Sequence, residues 1–332
     1  MVYNSMLTIN MSFLWIMWLA GLIAAIDLFA NFLTGALWYK DKAGFMDDVA
    51  NANTGLMKRR KYAAQSNVVD MYGKVHADIF AQPKYLLDGV SLKLRFVRSL
   101  DKFCIMSSSD EKVVIKSMSL FMRNVHISPA FRLAHIKALG KGNALYHITR
   151  TEVKVNRFAT GSLSANVDNL FLSQLPKRIV LDCMATSAFN GTNNKNLFNF
   201  KHHSLNFLAV YVDGQQIPAK AFKLNFSEKH TLREYMSLFN GTGQFFKDKG
   251  NQISREKIND GFTLYALDLT PDLNEGTHLN PVKRGSIRLE MLADALPETM
   301  NIVCFGDCFN TIEISKNRQV VFDYNARCVF AW

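Results

Sequence analysis

The apolar run Leu205 to Val212 ends in Asp213-Gly214, and a second extended segment follows at once. Apolar runs of this length bounded by a turn dipeptide read as strands buried on both faces, and Asp-Gly supplies the positive φ angles that a tight hairpin needs. The stretch Phe198 to Pro218, FNFKHHSLNFLAVYVDGQQIP, therefore builds a β-sandwich core. No nucleophile, metal cluster or phosphate loop sits on it, which points to a structural role.

The strand pattern continues on both sides. Val68 to Met71 and Val75 to Phe80 are short β-like runs around Gly73. Gly89 to Phe96 alternates strictly, with Leu92, Leu94 and Phe96 on one face and Ser91, Lys93 and Arg95 on the other, as in a half-buried strand. Val113 to Ile127 is expected to supply another long strand or a bent pair. Ser128-Pro129 opens a short helix over 129–139 that Gly140-Lys141-Gly142 ends. Beyond it the candidate strands are 145–157, 178–186, 205–212, 216–224, 262–268, 285–292 and 299–314, the last split in two. A second helix over 231–239 starts at Thr231-Leu232-Arg233-Glu234, a capping box, with Leu232, Tyr235, Met236 and Phe239 as its buried stripe. This series predicts an all-β sandwich or barrel.

A weak repeat runs through the pattern. Gly73 and Gly261 are each followed by an apolar strand and a turn-rich connector, and Gly89 and Gly285 then each open an amphipathic strand. Two passes through the same strand pair suggest two copies of one sandwich. The first copy is short of strands, because nothing before residue 36 supplies the half that should precede Gly73.

The 332 residues, 48% hydrophobic and 20% charged, suffice for one or two sizeable cores, so two domains is the default. The net charge of +11 is uneven: residues 36–145 hold 18 Lys/Arg against 9 Asp/Glu, and 146–332 hold 21 against 18. A basic surface suits nucleic acid, an anionic membrane or an acidic partner. The densest cluster, Lys58-Arg59-Arg60-Lys61, resembles a nuclear-import or phosphate-contacting patch but reads first as a solvated loop. With no periodic basic helix and no aromatic-interleaved basic stretch, sequence-specific nucleic-acid recognition is not expected.

Cys104, Cys183, Cys304, Cys308 and Cys328 form an odd set without paired zinc spacing. Cys304 and Cys308 lie in a strand-like run and read as free core thiols, which favours a reducing compartment. Glycosylation sequons at Asn10, Asn190, Asn225 and Asn240 count only in a secreted protein.

Residues 6–39 are apolar apart from Asp27 and a few small polar side chains. About 20 apolar residues cross a bilayer core. Yet no positive charge precedes the stretch, and Asp27 would cost about 2.5–3.5 kcal/mol near the bilayer centre. Lys40 and Lys42 could still hold a span. The segment 1–32 is read as aberrant and outside the fold; the other reading is a type II membrane protein, anchored by 11–34, with a β-sandwich binding domain.

Several runs together carry a resemblance. They are Asn51 to Gly55, VVDMYGKVHADIFAQPKYLLDGVSLKLRFVRS (68–99), Ile127 to Ala130 with its helix, NLFLSQLPKRIV (169–180), the opening stretch at 198–218, YMSLFNGTG (235–243) and FTLYALDLTPDL (262–273). In this order they resemble the double jelly-roll major capsid protein of Polinton/Maverick elements and the related adintoviruses, over roughly Leu33 to Tyr324. The resemblance implies two eight-stranded jelly rolls per subunit, linked by the 128–140 helix, with three subunits forming a pseudo-hexagonal capsomer that meets neighbouring capsomers in a virion. It implies no catalytic residues. This chain departs from the family at both ends, which reads as N-terminal truncation of an integrated copy. The expected parts are a partial first jelly roll with linker helix at 33–142, a complete second jelly roll at 143–324 and a tail at 325–332.

The function expected is that of a structural, capsid-type subunit, defective as it stands. Its partners would be further copies and, through the basic first domain, DNA without sequence preference. It would sit in a virion, or in host cytoplasm or nucleus if expressed. An enzyme is not expected, and no catalytic, cofactor-binding or metal residue is assigned. Asp182, Asp213, Asp268 and Asp272 are read as lying at strand ends or turns, and the tandem His202-His203 as a strand-edge pair.

Overall fold

The computed structural model describes residues 7–11, 33–75, 78–80, 82–245, 253–270 and 280–321. Between Ala144 and Val321 the chain builds two five-stranded sheets. Sheet I holds β3 (Ala144–Phe158), β11 (Met300–Ile314), β6 (Arg178–Ala185) and β9 (Tyr265–Asp268) in that order, with β12 (Val320–Val321) on the end of β11. Sheet II holds β4 (Ser164–Val167) and β5 (Leu172–Gln174) on one side of β10 (Arg284–Ala293), then β7 (Leu205–Val212) and β8 (Gln215–Lys223). Every ladder in both sheets is antiparallel.

The pairing is nested. The first strand pairs with the last (β3 with β11), and the broken second strand with the next to last (β4 and β5 with β10). Inside these, β6 pairs with β9 and β7 with β8. This winding, split over two facing sheets, is a jelly roll. The fold is all-β, a jelly-roll sandwich with a few short helices.

The β7–β8 hairpin forms as its residues predict. Val212 pairs with Gln215, and the two turn residues have positive φ, 49° at Asp213 and 82° at Gly214. The burial of β7 differs from expectation. Leu208 and Val210 enter the core, whereas on the other face Ala209 is buried and Phe207 and Tyr211 are half-buried. Sheet I is the layer covered on both sides: Ile179, Leu181 and Ile302 face sheet II, and Val180, Met184 and Val303 face a second apolar cluster. β11 is one continuous 15-residue strand rather than two. β3 holds it straight by pairing along its whole length, from Phe158 opposite Met300 to Ala144 opposite Ile314.

The cover of sheet I includes α3 (Leu232–Gly241), residues around Met46, and residues 253–262. The buried residues of α3 are Glu234, Ser237, Leu238 and Gly241, not the predicted stripe, and Leu232 is exposed. Small residues turn toward the sheet because the helix approaches β9 closely: a Cβ on Gly241 would lie 2.5 Å from the Ala266 carbonyl carbon. The expected capping box does not close. Thr231 Oγ1 donates to Asn259 Oδ1 at 3.2 Å, and Glu234 is buried instead of reaching back to the helix start.

The chain before Ala144 touches this unit in three places, one of them at Phe103, which packs on the sheet I cover, and at Ser107, whose N–H donates to Asn193 O at 2.9 Å. Residues 33–63, containing α1 (Thr54–Ala63), bring Met46 to the sheet I cover. Residues 75–92 bring Ile79 and Leu87 to the far ends of β3 and β11, where the Tyr146 hydroxyl donates to Tyr85 O at 3.0 Å and accepts from Leu87 N at 3.1 Å. A separate parallel ladder joins β1 (Leu7–Met11) to β2 (Leu92–Phe96). The predicted helix forms as α2 (Pro129–Lys141), with Pro129 in its first turn. The predicted strand over Val113–Ile127 does not: residues 105–128 form neither helix nor strand. A strand needs a ladder partner, and none of the described residues supplies one here.

Candidate functional site

Acid–base chemistry would need a carboxylate, histidine or thiol aimed into a cleft, so those groups come first. Asp182 lies in the middle of β6, not at a strand end. It is fully buried, neither carboxylate oxygen has a hydrogen-bond partner, and burial pushes its pKa well above the usual carboxylate range. It is a carboxyl buried within a sheet, closed off from solvent. Asp213 and Asp268 do lie at turns: Asp213 Oδ1 accepts from Ser286 N at 2.8 Å, and Asp268 Oδ1 from Thr270 N at 2.8 Å. Asp272 falls outside the described residues.

His202 and His203 precede β7 rather than edge a strand. His202 stacks on Phe226 with ring centroids 4.3 Å apart, and its Nδ1 accepts from Ser204 N at 3.0 Å. Burial lowers the His203 pKa to about 4, so that ring is neutral near pH 7. Both line a shallow cleft of about 540 Å³ with Asp47, Lys201 and Asp260. Asp47 is already engaged there: Oδ1 accepts from Asn196 N at 2.8 Å, and Oδ2 from Asn199 Nδ2 at 2.7 Å and Lys201 Nζ at 3.1 Å. Among the described residues no group of three or more His, Cys, Asp or Glu could hold a metal ion. Cys183, Cys304 and Cys308 are buried free thiols and Cys104 is exposed, while Cys328 lies outside the described residues. Burial raises the Cys183 and Cys304 thiols far from reactivity.

The remaining features are contacts and surfaces. Asn53, 1% exposed, caps α1 by accepting from Gly55 N and Leu56 N; it also accepts from Lys42 N at 3.2 Å and donates to Met46 O at 3.2 Å. Arg59 on α1 pairs with buried Asp41 at 2.6 Å, and Asp41 Oδ2 accepts from Asn196 Nδ2 at 2.8 Å. This polar latch fixes residues 39–59 to the jelly roll. The run Asn51 to Gly55, part of the resemblance above, is thus a structural cap.

A run of exposed apolar side chains lies between residues 97 and 136. Val114 is 77% exposed, Met118 68%, Phe121 78% and Phe131 64%, and Ile115, Met122, Leu133 and Ile136 are exposed with them. Monomeric proteins rarely leave so many large apolar side chains together in water, and such patches mark contacts with other chains. The apolar content of 113–127 was legible in the sequence; its lack of cover was not. Residues 12–32, which hold most of the apolar segment, lie outside the described residues. No described helix is long and apolar enough to cross a membrane.

No family model matches the chain. An uncharacterised protein from Caenorhabditis elegans is 21% identical over 270 residues, covering 75% of this chain and 62% of that protein. Among solved structures, the PBCV-1 virus capsid is similar at 11% identity and a TM-score of 0.35, over 56% of this chain and 52% of that one. The mavirus major capsid protein is similar at 10% identity and a TM-score of 0.30, over 55% of this chain and 41% of that one. At such values the likeness adds nothing to the strand order, which by itself defines the jelly roll.

Proposed function

We propose that the chain is a structural, viral capsid-type subunit, derived from a Polinton-like element, whose second jelly roll is whole and whose first is half present. The observation that carries this is an eight-position roll joined to a segment, 97–136, with apolar side chains that the described chain leaves uncovered. A self-contained binding module buries such side chains; an assembly subunit leaves them for its neighbours. The groups that could do chemistry are buried, paired or at turns, which suits a structural role.

In an intact subunit of this kind three copies would close a capsomer and further capsomers would surround it. Here Val113–Ile127 has no ladder partner among the described residues, so the chain is expected to associate irregularly. Multi-angle light scattering on the full-length protein tests this. Heterogeneous, concentration-dependent association is expected. A discrete trimer would overturn the half-roll part of the proposal, and a monomer stable at high concentration would overturn the assembly role.

A further inference from the structure

The basic cluster at residues 58–61 is not a loop. It lies on α1, which is mounted rigidly by the Asn53 cap, by the Arg59–Asp41 pair, and by Gly55, where any Cβ would collide with Lys40 O. Arg59 is spent on that mount, its Nη1 donating to Tyr39 O at 2.7 Å. Lys58, Arg60 and Lys61 stay exposed. No acidic side chain pairs with them among the described residues.

An aromatic pair accompanies these cations. Tyr39 stacks on Tyr62 with ring centroids 6.3 Å apart and planes 20° apart, and their hydroxyls hydrogen-bond at 3.1 Å. Lys58 Nζ lies 5.8 Å from the centre of the Tyr39 ring. Lys58, Lys61 and Tyr62 share one helical stripe, spaced i, i+3 and i+4. Tyr62 remains 51% exposed. The basic stretch is therefore interleaved with aromatics after all. Tyr39 stands 23 residues from Tyr62 in sequence, and only the fold brings them together.

We infer that this face of α1 binds single-stranded nucleic acid without sequence preference, its phosphates on Lys58 and Lys61 and an unpaired base on Tyr62, while Arg60 points to the opposite side of the helix. A cationic track beside an exposed ring is the arrangement that single strands use, since every base has a face to stack and every nucleotide a phosphate. A duplex offers phosphates but no free base face. An anionic membrane is the poorer fit, because the exposed residues of α1 carry no apolar stripe to insert, and Leu56 and Met57 are half-buried. The site needs only α1 and its mount, so it stands independently of the capsid reading.

Fluorescence anisotropy of the full-length protein with a labelled oligothymidine of roughly 20 nucleotides, at about 50 and about 200 mM NaCl, tests it. Wild type is expected to bind and to weaken steeply with salt. The variant K58Q/K61Q should lose at least about fivefold in affinity and flatten the salt dependence, while Arg60→Gln alone, on the opposite side of the helix, should change little. Tyr62→Ala should lose about fivefold or more, with Tyr62→Phe close to wild type, because the ring and not the hydroxyl carries the stacking. All of these substitutions fall on exposed positions, and an unchanged far-UV circular dichroism spectrum checks the fold. Should the double variant misfold, Lys61→Gln alone carries the same test at about two- to threefold. Unchanged affinity in the lysine variants, equal losses in Tyr62→Phe and Tyr62→Ala, or no oligonucleotide binding at the lower salt overturns the inference. So does binding to phosphatidylserine vesicles in place of the oligonucleotide.

Discussion

Replacing Glu234 by Gln removes an ionisable group from a buried position while keeping its shape. Glu234 is 1% exposed in the first turn of α3, its Oε1 has no hydrogen-bond partner, and the Tyr265 hydroxyl in the same interior is equally unpartnered. Burial pushes its pKa from 4.5 up to about 7, against the smaller opposing effects of its own backbone N–H and the Thr231 hydroxyl. The folded state therefore holds this proton more tightly than the unfolded chain does. The contribution of Glu234 to folding stability is lost as pH rises from about 4.5 to about 7 and is flat on either side. At about 1.4 kcal/mol per pKa unit, the loss across that window is at most about 3 kcal/mol.

Gln cannot ionise, so Glu234→Gln should match wild type near pH 4 and exceed it by about 1–3 kcal/mol near pH 8. Urea unfolding followed by far-UV circular dichroism at several pH values measures this. Every other titrating group is common to both proteins and cancels in the difference. Parallel stability curves for wild type and variant would refute the reasoning, because they would mean that Glu234 ionises as freely in the folded state as in the unfolded one.

Other substitutions probe the same packing. Gly241→Ala should destabilise by about 2–4 kcal/mol, since the new Cβ would sit 2.5 Å from the Ala266 carbonyl carbon and force α3 off β9; thermal unfolding reads this directly. Asn53→Ala should cost about 2–3 kcal/mol by orphaning the amide groups it serves, and limited proteolysis should then cut within 39–63 first. Asp182→Ala should fall within about 1 kcal/mol of wild type, or be more stable, because it removes two unpartnered buried oxygens; a loss as large as an ordinary core truncation would show that the carboxyl is satisfied.

The second roll was legible because its signals are local. Asp213-Gly214 names its own turn, Pro129 its own helix start, and the runs at 145–157, 178–186 and 285–292 need no distant information to read as strands. β4 and β5 escaped notice, being only 4 and 3 residues long, too short to show a period. The Thr231–Glu234 box misled because tertiary packing draws Glu234 inward while Asn259 takes the Thr231 hydroxyl. Asp182 misled for the opposite reason: turn chemistry is the usual role of Asp, and nothing within β6 announces a buried acid. The Tyr39–Tyr62 pair could not be seen, because no periodicity links residues so far apart.

The weak repeat explains which part of the chain finds cover and which does not. In the second copy, the amphipathic strand opened by Gly285 is β10, and the strand after it, β11, is held by β3 along its whole length and by β6 over Met300 to Asp307. Both partners come early in that roll. In the first copy Gly89 opens β2, and the next apolar stretch is Val113–Ile127, in the position of β11. It has β11's need for two flanking strands, and its partners by this analogy would lie before Gly73. There β1 is the one strand among the described residues, and it pairs with β2 instead. The second roll escapes the same fate because sheet I is covered from within the chain, by α3, Met46 and residues 253–262. Its stability is therefore expected to draw on residues 41–47 as well as on the roll itself, while the surface between 97 and 136 is left uncovered by the described residues.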